Sequence, residues 1–157
     1  MKNFTKIFLS LFYVGYIKFA PGTFGTLIAI PLYLIFLNDL PFITSFVVLI
    51  VFTIISSFII SISYSKKVFD NIDHKSIIID EILAFLFILL FFNSNIYQII
   101  FSFLVFRFFD IYKPYPINII DKNIKNGFGV MLDDLVAAFY CFIVVDIFYL
   151  SKDFYVW

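Results

Sequence analysis

Residues 82–109 read ILAFLFILLFFNSNIYQIIFSFLVFRFF, and the fold turns on whether they form one helix or two. As a single helix they would run about 42 Å at 1.5 Å per residue, with Asn93, Ser94 and Asn95 near the middle. Folded back at those three residues, they give arms of about 17 and about 21 Å. Asn and Ser favour turns, and polar side chains deep in a bilayer are costly. A hairpin is therefore expected, with arms that dip into a membrane or cross it thinly.

Composition makes lipid the solvent. The 157 residues are 63% hydrophobic and 14% charged, with a mean hydropathy of +1.05. Soluble domains carry about a quarter charged residues. Eleven basic and eleven acidic side chains cancel, which leaves no electrostatic footprint for a nucleic acid. A single cysteine, Cys141, excludes an intrachain disulfide framework and a Cys-cluster zinc site. The 25 Phe and 10 Tyr read as lipid-facing and interhelix filler.

A bilayer core needs about 20 apolar residues per helical span. Residues 41–64 meet this without one charge. Residues 24–37 are shorter and follow the apolar run 7–17 after a break at Lys18, Pro21 and Gly22. Residues 135–150 suffice for a last span if Asp133 and Asp134 sit at its mouth. The amino end resembles a signal peptide, but Lys18 and Pro21 flank Ala20, the only small-residue candidate for cleavage. Residues 7–17 are thus expected as a retained interfacial or partly inserted helix. The fold class expected is all-α: a multi-span integral membrane helical bundle with a short helical hairpin and cytoplasmic-side polar loops, forming a single domain over 1–157.

The hairpin also sorts the charges. It puts ten of the eleven basic residues on one side, the cytoplasmic one by the positive-inside rule. Three loops collect there, at 15–26, 65–81 and 107–134. They hold eight of the eleven acids, while Asp39, Asp146 and Asp153 fall outside.

Within those loops, Asp80 and Glu81 precede the first hairpin arm. Asp110 follows the second arm, and Asp133 and Asp134 precede the last span. Five carboxylates brought together would repel and raise one another's pKa. A hard divalent cation resolves the conflict, and Mg²⁺ commonly takes one or two carboxylates plus substrate phosphate. Each pair alone would also be explained by the helix macrodipole.

Other residues suit a phosphate. Gly22 and Thr23 lie in APGTFGT (20–26), a Gly/Thr loop opening a helix, where free N–H groups attract anions. Arg107, the only arginine, offers a planar fork, or else a salt bridge to Asp110 at i,i+3. Lys113 is followed by Pro-Tyr-Pro, expected as a rigid extended stretch. Gly127 and Gly129 are expected to let the chain turn before the acidic pair. His74, the only histidine, could serve as an acid/base or substrate contact, although a loop histidine is otherwise solvated. Thr53, Ser57 and Ser61 at i,i+4 read as helix packing, and Cys141 as packed.

Four blocks together, FAPGTFGTL (19–27), DHKSIIIDE (73–81), FRFFDIYKPYPI (106–117) and NGFGVMLDDLVAA (126–138), resemble the phosphatidylglycerophosphatase A family. Ala84 and Ala138 stand where that family usually has Gly, and Asn126 replaces one of a Gly pair. The resemblance implies a bacterial inner-membrane, Mg²⁺-dependent lipid phosphatase. It would convert phosphatidylglycerophosphate to phosphatidylglycerol, with its active site facing the cytoplasm. On this reading Asp80, Glu81, Asp133 and Asp134 hold Mg²⁺, and Asp110 is a further ligand or a base. Arg107 and Lys113 neutralise the phosphate. Attack by a metal-activated water and by an aspartyl carboxylate both stay open. Two alternatives remain: a phosphatase for another phospholipid or a prenyl phosphate, and a cation transporter subunit, which would need carboxylates deep within its spans.

Overall fold

The computed structural model describes residues 2–154 apart from 70, 93 and 94, with side chains described through residue 149. Seven α-helices, and no strand, occur among the described residues: α1 (Lys2–Leu9), α2 (Pro21–Leu32), α3 (Phe42–Ser65), α4 (Ile79–Phe91), α5 (Ile96–Tyr112), α6 (Ile117–Asn123) and α7 (Gly127–Phe154). Two stretches, Phe42–Ser65 and Gly127–Tyr149, are long and apolar enough to cross a membrane.

The core is built on α4 and α7. Nine of the thirteen α4 residues are buried, on all sides of the helix, because α2, α3, α5 and α7 all pack on it. A helix so enclosed needs no polar face, which is why its sequence is apolar from Ile82 to Phe91. On α3 the pattern is reversed: only 22% of its most apolar stretch is buried. Its outward residues, Ile43 and Phe58 among them, are large and apolar, and such a face suits lipid as solvent.

The two arms of the hairpin are α4 and α5. Asn93 and Ser94 of the expected turn lie outside the described residues. Asn95 is described, and its side chain caps α5 by accepting the Tyr97 N–H at 3.0 Å. The arms run antiparallel, since Glu81 at the start of α4 meets Arg107 near the end of α5.

Three expectations give way. Residues 7–17 are not one helix: α1 stops at Leu9, and Leu11, Phe12 and Tyr13 all have positive φ. The Ser10 hydroxyl donates to the Lys6 carbonyl at 2.6 Å and accepts from the Tyr13 N–H at 3.1 Å, closing the helix with side-chain bonds. Residues 107–134 are not a loop, for they comprise the end of α5, all of α6 and the start of α7. Residues 113–116 are not extended. Lys113 ends α5 in the left-handed region at φ 45°, and Pro114 to Pro116 form a turn into α6. A proline has no N–H with which to continue the helix.

At α2, Pro21 sits at the first helical position, where its missing N–H does no harm. Pro31 lies in the helix interior, and the helix continues as a wider π-type turn over Tyr33–Leu37.

Candidate active site

A polar cavity of about 270 Å³ opens where α2, α4, α5 and α7 converge. From α4 come Asp80 and Glu81, in its first turn. From α5 come Arg107 and Asp110, one turn apart. From α7 come Asp133 and Asp134, which lie inside the helix rather than ahead of it. Gly22 and Pro21 of α2 close one wall, and Lys113 another. Asp80, Asp110, Asp133 and Asp134 are all buried.

The carboxylates fall into two groups. One oxygen each from Asp80, Glu81 and Asp134 lie within 4.8 Å of one another. Asp133 instead accepts a hydrogen bond from the Lys113 ammonium, so it is engaged beside the trio rather than within it. On α5, Arg107 Nη1 lies 2.5 Å from Asp110 Oδ2 and 3.9 Å from Glu81 Oε1. The i,i+3 salt bridge and a place in the cavity, alternatives in the sequence, thus occur together.

Burial sets the electrostatics. Loss of solvent pushes the Glu81 carboxyl up to about 8, helped by Asp134 and Asp110, while Asp80 and Arg107 pull it down. Asp80 is raised well above the usual carboxylate range by burial first and by the Glu81 charge second. Lys113 is raised although burial opposes its charge, because Asp133 and then Asp134 and Asp121 favour the ammonium. Burial thus favours the protonated form of these acids, and a cation among them would favour the ionised form.

The donor set fits a hard cation and a phosphate. All three convergent ligands are carboxylates, as Mg²⁺ prefers. Glu81 Oε2 is buried without a hydrogen-bond partner, as is Arg107 Nε. Buried polar atoms are rarely left unpaired. An unpaired carboxylate oxygen suits a cation, and an unpaired guanidinium N–H suits an anionic oxygen.

Two residues expected here lie elsewhere. Thr23 does not line the cavity, and its N–H donates to the Ala20 carbonyl at 3.0 Å. His74 does not line it either. Its Nδ1 lies 2.8 Å from Ser76 Oγ, and its ring packs on Phe69 with centroids 5.2 Å apart. His74 instead shapes the segment that leads into α4. Asp73 and Lys75 do line the cavity. They lie in the quoted block 73–81, where sequence alone gives neither of them a place at the site.

The glycines act by close approach, and none of them has positive φ. A Cβ on Gly22 would collide with Glu81 Oε1 and stand 3.2 Å from Arg107 Nη1. Gly127 lies against Ser57 and Ser61 of α3, and Ser61 Oγ accepts its N–H at 2.9 Å. Asn126 caps α7, its Oδ1 accepting from the Gly129 N–H at 2.9 Å.

The peptide ahead of Asp80 is braced by the amino end of the chain. Ile78 N–H donates to the Leu9 carbonyl at 3.0 Å, and Gly15 sits directly against the Ser76 carbonyl.

Carboxylates able to share a cation, beside a guanidinium and an ammonium able to take a phosphate, in a helical fold with membrane-length helices, define the class of membrane-associated phosphate-ester hydrolases. The chain matches the family model for phosphatidylglycerophosphatase A over residues 7–149, and it belongs to that family. It is 38% identical over 135 residues to phosphatidylglycerophosphatase A of Haemophilus influenzae, covering 83% of this chain and 80% of the relative. It is 32% identical over 125 residues to phosphatidylglycerophosphatase A of Escherichia coli, covering 79% and 71%. It is 31% identical over 138 residues to a Bacteroides thetaiotaomicron protein named "Putative phosphatidylinositol-3-phosphatase", covering 83% and 84%. No solved structure matches the chain. The family is one of phosphoric monoester hydrolases, and the chain is an enzyme of that class.

Proposed function

We propose that this chain is a Mg²⁺-dependent lipid phosphatase that hydrolyses phosphatidylglycerophosphate to phosphatidylglycerol and phosphate, as a step of phospholipid synthesis. The observation that carries this reading is the approach of the Asp80, Glu81 and Asp134 carboxylates to within 4.8 Å beside Arg107, in a chain of this family. The enzyme works as a single multi-pass domain of the bacterial inner membrane, with the hairpin α4–α5 turned so that the acids face the cytoplasm. The clustering of basic residues on that side supports this orientation.

Phosphoryl transfer is mostly positioning and charge neutralisation. Asp80, Glu81 and Asp134 would hold the ion, with Asp133 beside them on Lys113. Mg²⁺ bound there supplies Lewis acidity and neutralises charge on the transferring phosphoryl group. Arg107 is tethered by Asp110 through Nη1, and its unpaired Nε–H is left to serve a phosphate oxygen. Lys113 adds a second positive charge. Asp110 holds Arg107 and is also placed to accept a proton. Acyl chains remain in lipid while the headgroup enters the cavity.

The relative named for phosphatidylinositol-3-phosphate favours a second reading, a phosphatase for another lipid phosphomonoester. One experiment separates the readings. The purified protein is presented with phosphatidylglycerophosphate, phosphatidylinositol-3-phosphate and a prenyl phosphate, each with Mg²⁺ and with chelator. Phosphate release from the first alone, and only with Mg²⁺, supports the proposal. Preference for another lipid replaces its substrate, and release with chelator removes its metal.

A further inference from the structure

Lys113 reaches the cavity from the end of a helix, with the left-handed φ of 45° that closes α5. Its four-carbon stem is flexible, and its ammonium is a point charge without a fixed fork. Holding such a side chain in one place costs rotamer entropy. The ammonium nevertheless has two carboxylate partners. One is Asp133, whose side chain is only 6% exposed; the other is Asp121 Oδ1, 3.6 Å away, with a side chain 30% exposed.

The two differ in what else they do. Asp133 lines the cavity next to the metal-ligand trio, and Asp121 does not line it. Asp121 rides on α6, a seven-residue helix that packs on α7 and begins at the fully buried Ile117. Its own peptide is fastened by Lys125, whose Nζ donates to the Asp121 carbonyl at 2.5 Å. The turn before α6 is tied to α7 as well, since the Tyr140 hydroxyl donates to the Tyr115 carbonyl at 3.0 Å. Asp121 is thus a carboxylate on a braced support, aimed at a mobile cation.

We propose that Asp121 is the positioning residue of Lys113: held between Asp133 and Asp121, the ammonium is fixed at the cavity wall, so that Lys113 faces the substrate phosphate. This rests on the phosphatase reading, in which Lys113 contacts phosphate. Without Asp121, Asp133 alone would set where the ammonium lies. The effect falls on substrate capture, because Asp121 touches neither the trio nor Arg107.

The test is a double-mutant cycle on the full chain in detergent–lipid micelles. Asp121→Asn should raise KM for phosphatidylglycerophosphate about fivefold, as loss of a partly exposed ion pair does, with kcat within twofold. Asp121→Glu should restore KM. In a Lys113→Gln background, Asp121→Asn should add nothing further, since coupled sites are non-additive. An undiminished effect in that background, an unchanged KM in the single variant, or an equal loss in Asp121→Glu would each overturn the proposal. If the parent hydrolyses no phosphatidylglycerophosphate, the function reading fails by itself. The same cycle is then read on binding of inorganic phosphate, where coupling supports the Asp121 role and additivity overturns it.

Discussion

Glu81 Oε1 lies 3.9 Å from Arg107 Nη1, so the first turn of α4 faces a late turn of α5 across the cavity. The only glutamate and the only arginine of the chain meet there. Replacing Glu81 by Gln keeps the shape but removes the charge that a cation would share. Phosphate release should fall by about two orders of magnitude or more, the scale expected when a metal ligand is lost. Asp134→Asn should do the same. Turnover within twofold of the parent in either variant would remove that residue from the ligand set.

The same burial gives a pH signature. Glu81 ionises near 8 in the folded chain against 4.5 in the unfolded one. Between those values the folded state holds a proton that the unfolded state has released, so stability falls as pH rises through this window. The metal-free protein should therefore melt at a lower temperature at pH 8 than at pH 5. Saturating Mg²⁺ should flatten that slope, because it compensates the ionised carboxylates. Melting curves at the two pH values, with and without Mg²⁺, test this; a metal-free Tm that rises with pH contradicts the assignment.

Gly22→Ala separates chemistry from folding. Its Cβ would meet the end of the Glu81 side chain, which can move aside at little expense to stability. Displacement by about an ångström at a reacting centre costs about 100-fold in rate. We expect a loss of about tenfold to 100-fold in kcat/KM with little change in Tm. A variant that unfolds, or one that keeps full activity, would show that the contact does not position Glu81.

Gly127→Ala should behave in the opposite way. The new methyl would strike the Ser57 carbonyl and Ser61 Oγ, where backbone cannot yield. Overpacking of this kind costs about 1–3 kcal/mol, whereas Ser61→Ala, which removes the 2.9 Å bond from the Gly127 N–H and the hydroxyl's own 3.0 Å bond to the Ser57 carbonyl within α3, should cost about 0.5–1.5 kcal/mol. Thermal unfolding of the two variants gives the comparison.

Topology has its own measurement. A reporter fused after Asn95 should register outside the cytoplasm, and one fused after Asn123 inside. The two signals on the same side would dismantle the arrangement proposed for the hairpin.

The break between α4 and α5 was legible because three consecutive polar residues, Asn93, Ser94 and Asn95, interrupt an apolar run. The cluster of Asp80, Glu81, Asp110, Asp133 and Asp134 was legible by its position near helix ends. Hydropathy misplaced the start of α7, since two aspartates look like the edge of a span, yet they face a cavity from within the second turn of a helix that begins at Gly127. The pairing of Lys113 with Asp133 and Asp121 joins residues 20 and 8 positions apart through α6 and a proline turn, and no local pattern encodes it. The contact of His74 is local, with Ser76 two residues on, and a loop sequence does not fix which way such a ring turns.

The bond from Ile78 N–H to the Leu9 carbonyl makes the amino-terminal helix a handle on the site. Whatever pulls on α1, whether a fused tag, a truncation or adsorption to a surface, acts on the peptide two residues ahead of Asp80. An alteration at the amino end therefore reaches the site through one backbone hydrogen bond.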